Sequence, residues 1–139
     1  MDERTPWTTA PRLQVVSRFV MPSVPVGWID QLRGVAQLLA AQTGCDAVVI
    51  GRATDDPSCW LVTSDWESVG AYRHALSSFE VKVHGVPVLS QAVDEPSAYE
   101  VLYSQRGDVI VEAMSARADP QSDGRAADDL TRNPLDEPG

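Results

Sequence analysis

WLVTSDWESVGAYRHALSSFEVKVHGVPVLSQAVDEPSAYEVLY, residues 60–103, reads as strand, helix and strand in succession. The alternating opening run ends at Trp66 and places Trp60, Val62, Ser64 and Trp66 on one face. Ser68 is a good helix N-cap residue. Val69, Tyr72, Leu76, Phe79, Val83 and Val86 then recur every three or four residues, which predicts an amphipathic helix. The pair Ser77-Ser78 marks a bend or interruption in it. Pro87 predicts a break or a new start, with Val88–Val93 as one more short helical turn. Asp94-Glu95-Pro96 is a turn, and Ala98–Ser104 closes the unit as a strand carrying Tyr99 and Tyr103.

Upstream, Met1–Pro11 reads as a loose arm anchored by Trp7. Leu13–Val20 predicts a strand that is apolar on both faces. Met21–Pro25 turns the chain, and Pro25 suits a first helical turn. In Val26–Gln42 the apolar positions Ile29, Leu32, Val35, Ala36 and Leu39 fall on one stripe, with Gly44 placed to stop the helix. Asp46–Ala53 and Cys59–Trp66 flank the turn Asp55-Asp56-Pro57-Ser58 as a hairpin.

The element order is β-α-β-β-α-β. It predicts an α+β, ferredoxin-like domain: a four-stranded antiparallel sheet with both helices on one face. Strands with apolar residues on both sides would leave the other face bare. A second copy of the chain is the simplest cover, so the expected partner is a homodimer mate. Downstream, Asp108–Met114 either extends the last strand or reaches over the partner. Beyond Ser115 the chain is rich in Ala, Asp, Arg, Gly and Pro, and acids outnumber arginines. The expected organisation is an arm over 1–11, a folded domain over 12–104, and an acidic, partly disordered extension over 105–139.

The 139 residues make one domain by size, long enough to bury a core without staples. The net charge of −9 and the scatter of the basic residues, of which Lys82 alone is a lysine, argue against a nucleic-acid partner. No apolar run is long enough to cross a bilayer. The polar start MDERTPWTTAP does not read as a secretory leader. Cys45 and Cys59 lack CxxC spacing, so a cytoplasmic protein with free thiols is expected; a bridge between them would need the second and third strands to pair there. Dinucleotide glycine fingerprints, a P-loop and Cys/His metal spacing are all missing from the sequence, so neither cofactor nor metal is expected.

Three segments carry a family resemblance: Thr43-Gly44-Cys45 after the first helix, Leu61–Trp66 leading into Glu67-Ser68, and Ala71-Tyr72 early in the second helix. Over about Leu13–Leu102 the chain resembles the antibiotic biosynthesis monooxygenase (ABM) family of the dimeric α/β-barrel superfamily. The resemblance implies a homodimer whose two sheets close a barrel, with a pocket in each subunit between sheet and helices. The family includes anthrone oxygenases, small-quinol oxidases and haem-degrading enzymes. Haem-degrading members carry an Asn on the first strand, a Trp within the second helix and a His further along it. Here Ser17 and Arg18 occupy the strand region and Ala75 the helix position, while His84 lies one residue off the spacing of the His. That argues against haem degradation. The anthrone-oxygenase type uses an Asn/Trp/Tyr/Arg set, and Trp66, Tyr72 and Arg73 supply three of those types.

Triplet O₂ reacts poorly with closed-shell organic molecules, and a substrate that ionises to an electron-rich anion supplies the electron itself. The protein then needs a base, a donor or cation for the anion, and a dry aromatic slot. His84 is a candidate base, because His titrates near neutrality. On a continuous helix Arg73, Ser77, Glu80 and His84 would share one polar stripe, although a solvated helix flank reads the same way. His74, beside Arg73, is expected to be exposed. Trp60, Trp66 and Phe79 are candidate walls for a flat substrate, and Trp60 and Trp66 serve equally as core or dimer interface. Arg18 and Arg52 are expected to pair with Asp46, Asp65 or Glu100. The reading is a cofactor-independent monooxygenase acting with O₂ on a small aromatic or polyketide-like molecule. His84, Arg73 and Tyr72 are its candidate catalytic residues. The alternatives are a non-catalytic ligand-binding or scaffold dimer, and a cofactor-free cyclase or isomerase on the same fold.

Overall fold

The computed structural model describes residues 10–117. The arm expected before residue 10 and the tail after residue 117 lie outside the described residues. The elements run β1 (Arg12–Val20), α1 (Trp28–Ala40), β2 (Cys45–Arg52), β3 (Cys59–Trp66), α2 (Val69–Leu76), a π-helical segment (Val81–Gly85), α3 (Val86–Leu89), β4 (Ala98–Val101), β5 (Tyr103–Arg106) and β6 (Val109–Glu112). The main sheet has the order β2-β3-β1-β4 with every neighbouring pair antiparallel. This is the ferredoxin-like α+β arrangement expected from the element order.

Register explains where the core sits. Leu13, Val15, Ser17 and Phe19 of β1 face Trp66, Ser64, Val62 and Trp60 of β3. Period 2 sends all of them to the helix side. There Leu13, Val15, Val35, Leu39, Trp66, Ala75 and Val81 form one buried cluster. Phe19, Trp28, Leu32 and Val62 form a second, with Phe19 and Trp28 edge-to-face at 5.3 Å. The α1 stripe (Leu32, Val35, Leu39) thus packs on the sheet as its spacing predicts.

Gly44 shows why a glycine ends the α1–β2 connection. Its φ is +90°, and a Cβ there would lie 2.6 Å from the Ala71 Cβ. Its carbonyl also accepts the Glu67 N–H at 2.8 Å. The three segments that carry the family resemblance therefore touch each other at one point. Ser68 caps α2 as expected, its hydroxyl accepting from the Ala71 N–H at 3.0 Å.

Three expectations need correction. The first concerns the short helical turn expected over Val88–Val93: it lies at Val86–Leu89, and Pro87 marks its new start. The preceding segment widens to a π turn in which the Val86 N–H reaches the Val81 carbonyl, and Pro87 falls in the first turn of α3, where no donor is required. The second concerns the apolar stripe of the second helical region, which does not continue past Ser77. α2 ends at Leu76, the Ser78 hydroxyl accepts from the Val81 N–H, and the helix restarts in a new phase. Val81 and Gly85 are then the buried positions, whereas Phe79, Val83 and Val86 are exposed. The third concerns the last strand, which stops at Val101. Tyr103–Arg106 and Val109–Glu112 form their own hairpin around Gly107, so Asp108–Met114 does not extend β4.

The outer face of the sheet is mixed rather than uniformly apolar. Val16 and Leu61 are half-buried and Val20, Val49 and Tyr99 exposed, beside a polar end where Gln14 Nε2 donates to Asp65 Oδ1 at 3.1 Å. No helix among the described residues is long and apolar enough to cross a membrane.

Candidate active site

A cavity of about 390 Å³ opens between the helix side of the sheet and the helices. Val15, Ser17, Val62 and Ser64 line it from the middle of β1 and β3, and Leu39, Tyr72, Leu76 and Leu89 from the helices. It falls in the size range of small-molecule sites, and its walls are mostly apolar. A second hollow, about 560 Å³, lies between the β5–β6 hairpin and the polar end of the outer face. That one is lined by Arg12, Asp46, Asp65 and Arg106, with Arg12 ion-paired to Asp46, and lacks the dry walls of the first.

The segment 90–97 forms the remaining side of the inner cavity and contributes Asp94 and Glu95. It is strapped to β1 by two backbone bonds of 2.7 Å, Val93 N–H to the Arg18 carbonyl and Val16 N–H to the Ser97 carbonyl. Arg18 adds a two-pronged hydrogen bond to the Glu95 carboxylate, at 2.7 and 2.8 Å. That bond holds the Glu95 carboxyl below its usual range and raises the Arg18 guanidinium further.

On the sheet and α2 side of the cavity the polar groups are hydroxyls. Trp66 is fully buried, and its indole N–H donates to the Ser64 Oγ at 2.8 Å. Its ring meets the Tyr72 ring at 5.3 Å and 56°. Burial pushes the Tyr72 phenol above its ordinary value. The Tyr72 hydroxyl has no hydrogen-bond partner among the described residues and remains available as a donor.

Of the residues singled out from sequence, Tyr72 lines this cavity and Trp66 packs directly against it. Trp60 sits farther along the same strand face, against the cluster of Phe19 and Trp28, with the Arg52 guanidinium 4.5 Å above its ring. Phe79, Arg73 and His84 are exposed and stand off the cavity lining, as does His74. The physical reason is the interruption at Ser77-Ser78, which removes the continuous stripe that would have aligned Arg73 with His84. Arg18 pairs with Glu95 rather than with Asp46, Asp65 or Glu100, and Arg52 donates to the Pro57 carbonyl at 2.7 Å. Cys45 and Cys59 are free thiols. The antiparallel register sets them at opposite ends of the β2–β3 ladder. Ser17, Ser64, Asp94 and Glu95 escaped the sequence reading. Ser64 alone carried a signal there, as the polar position in the inward alternation Trp60, Val62, Ser64, Trp66.

Residues 27–84, from the start of α1 into the π-helical segment, match the family model described as antibiotic biosynthesis monooxygenase. Over this stretch the chain is similar to that family. Solved structures agree on the fold. SnoaB, a cofactor-independent oxygenase from Streptomyces nogalater, superposes with a TM-score of 0.59 at 19% identity, covering 72% of this chain and 100% of SnoaB. A conserved protein from Methanosarcina mazei Go1 gives 0.54 at 17% identity, covering 66% of this chain and 93% of its own. No curated protein sequence matches the chain.

Proposed function

We propose that this protein is an ABM-type, cytoplasmic, cofactor-independent monooxygenase that oxidises a small aromatic or polyketide-like molecule with O₂. It would act as a homodimer joined through the outer faces of its sheets. The observation that carries the reading is the mostly apolar cavity between sheet and helices, with Tyr72 on its lining. The likeness of fold to SnoaB adds support.

The substrate is one whose C–H or O–H ionises readily, such as an anthrone. Its anion passes one electron to O₂, the radical pair combines to a hydroperoxide, and loss of water leaves the quinone. In that sequence the residues do three things. The apolar walls exclude water and hold the ring system flat. Tyr72 donates a hydrogen bond to the oxygen on which charge develops. Trp66 fixes the orientation of the Tyr72 ring. The roles first assigned to His84 and Arg73 pass to groups on the cavity lining, and the base function falls to the ionised substrate itself.

One observation favours a second reading. The lining contains no histidine, lysine or arginine, which also suits a protein that binds a neutral aromatic molecule without turning it over. Aerobic incubation with dithranol, followed by quinone absorbance and oxygen uptake, separates the two. The oxygenase reading expects a rate above buffer that falls about tenfold or more in Tyr72→Phe. A rate equal to buffer overturns it in favour of binding.

A further inference from the structure

The polar group most deeply set in the cavity is not Tyr72 but Ser64, 3% exposed and on the sheet side. Its oxygen already accepts the Trp66 indole N–H. The Ser64 hydroxyl proton must therefore be given elsewhere, and no acceptor for it exists among the described residues. A hydroxyl that accepts one hydrogen bond is a better donor of the next. Buried donors without partners are rare in folded proteins.

We infer that Ser64 is a ligand-contacting, specificity-determining residue, whose hydroxyl donates to a carbonyl or phenolate oxygen of the bound molecule. Trp66 is its positioning residue. This rests on the cavity being the substrate site, as proposed above, and deepens that reading by naming the feature recognised: an acceptor oxygen on an otherwise apolar, planar guest. Trp66 serves both donors at once. Its N–H turns the Ser64 hydroxyl so that the oxygen lone pair points to the indole and the proton points away, and its ring abuts Tyr72. Ser64 and Tyr72 would then reach the guest from the sheet side and the helix side. Neither carries charge, so the pair holds the oxygen by hydrogen bonds alone. The carboxylates of Asp94 and Glu95 on the same lining disfavour carboxylated guests.

The test is a binding measurement without oxygen, so it does not depend on turnover. Anthrone and 9,10-dihydroanthracene have nearly the same shape, and only anthrone bears the acceptor oxygen. Equilibrium dialysis under anaerobic conditions should show Ser64→Ala losing about tenfold in affinity for anthrone while dihydroanthracene changes by less than about twofold. Trp66→Phe, which keeps Ser64 but frees its orientation, should lose part of the same discrimination. Ser64→Ala leaves the Trp66 N–H buried without an acceptor and can fail to fold. The double variant Ser64→Ala/Trp66→Phe removes both partners and keeps the question answerable. The proposal is overturned if the variants weaken both compounds equally, if they weaken neither, or if the wild type binds neither. A wild type that shows the discrimination but no dithranol oxidation keeps the inference and sinks the oxygenase reading.

Discussion

The two faces of the main sheet are built from the same strands and end in opposite states. On the helix side Leu13, Val15, Phe19, Val62 and Trp66 are each at most 5% exposed. On the outer side Val20, Val49 and Tyr99 are 48%, 54% and 50% exposed. The helix side is finished by the chain itself and tolerates a hydroxyl only where the cavity meets the sheet, at Ser17 and Ser64. The outer side keeps an apolar middle that the described residues leave half-buried to exposed. The difference teaches that the helices complete one face, where the cavity forms, and that the described residues do not complete the other.

Breaking the inner face should have the largest effect. Trp66→Ala removes a fully buried ring that supports both Ser64 and Tyr72, and should cost about 3–5 kcal/mol by urea denaturation. Gly44→Ala comes next. It combines a left-handed backbone with a Cβ that meets Ala71, and should cost about 2–4 kcal/mol in the same assay, with Gly44→Asn milder in its backbone strain alone. The outer face should answer differently. Val49→Lys should leave monomer stability within about 0.5 kcal/mol yet move the light-scattering mass from twice the 15.1 kDa chain toward that of one chain. A wild type that scatters as one chain at micromolar concentration would erase the distinction between a finished and an unfinished face.

The smallest effect belongs to the strap that joins the faces, Arg18–Glu95. The folded Glu95 carboxyl titrates below its unfolded value, so its contribution is present above the ordinary carboxylate range, near pH 4, and is lost as pH falls through the folded value. Arg18 stays charged throughout. Glu95→Gln should therefore lower the melting temperature slightly at pH 7 and flatten its fall as the pH drops below the ordinary carboxylate range. An unchanged acid limb would show that the strap is held by its backbone bonds alone.

Much of the fold was legible because its signals are local. β1, α1 and β3 follow from period 2 or 3.6, the α2 start from Ser68, and the helix stop from Gly44. Legibility ended at Ser77-Ser78. A two-residue interruption can rotate the next helical segment to any phase, so Phe79, Val83 and Val86 read as core and emerged exposed. Pro87 read as a break or a new start, and the π turn that decides for the new start leaves no mark in the residue types. Of the candidate site residues, Tyr72 reached the cavity because it lies before the break, while Phe79 and His84 lie after it.

By itself the amino-acid order determined the first three strands, α1, the start of α2 and the β-α-β-β-α-β order, since hydrophobic period and capping chemistry act within a few residues. Tertiary structure alone decided where a void remains and which hydroxyls enter it. A cavity is what is left when several elements have packed, and its position depends on side-chain volumes that meet across the layers rather than along the chain.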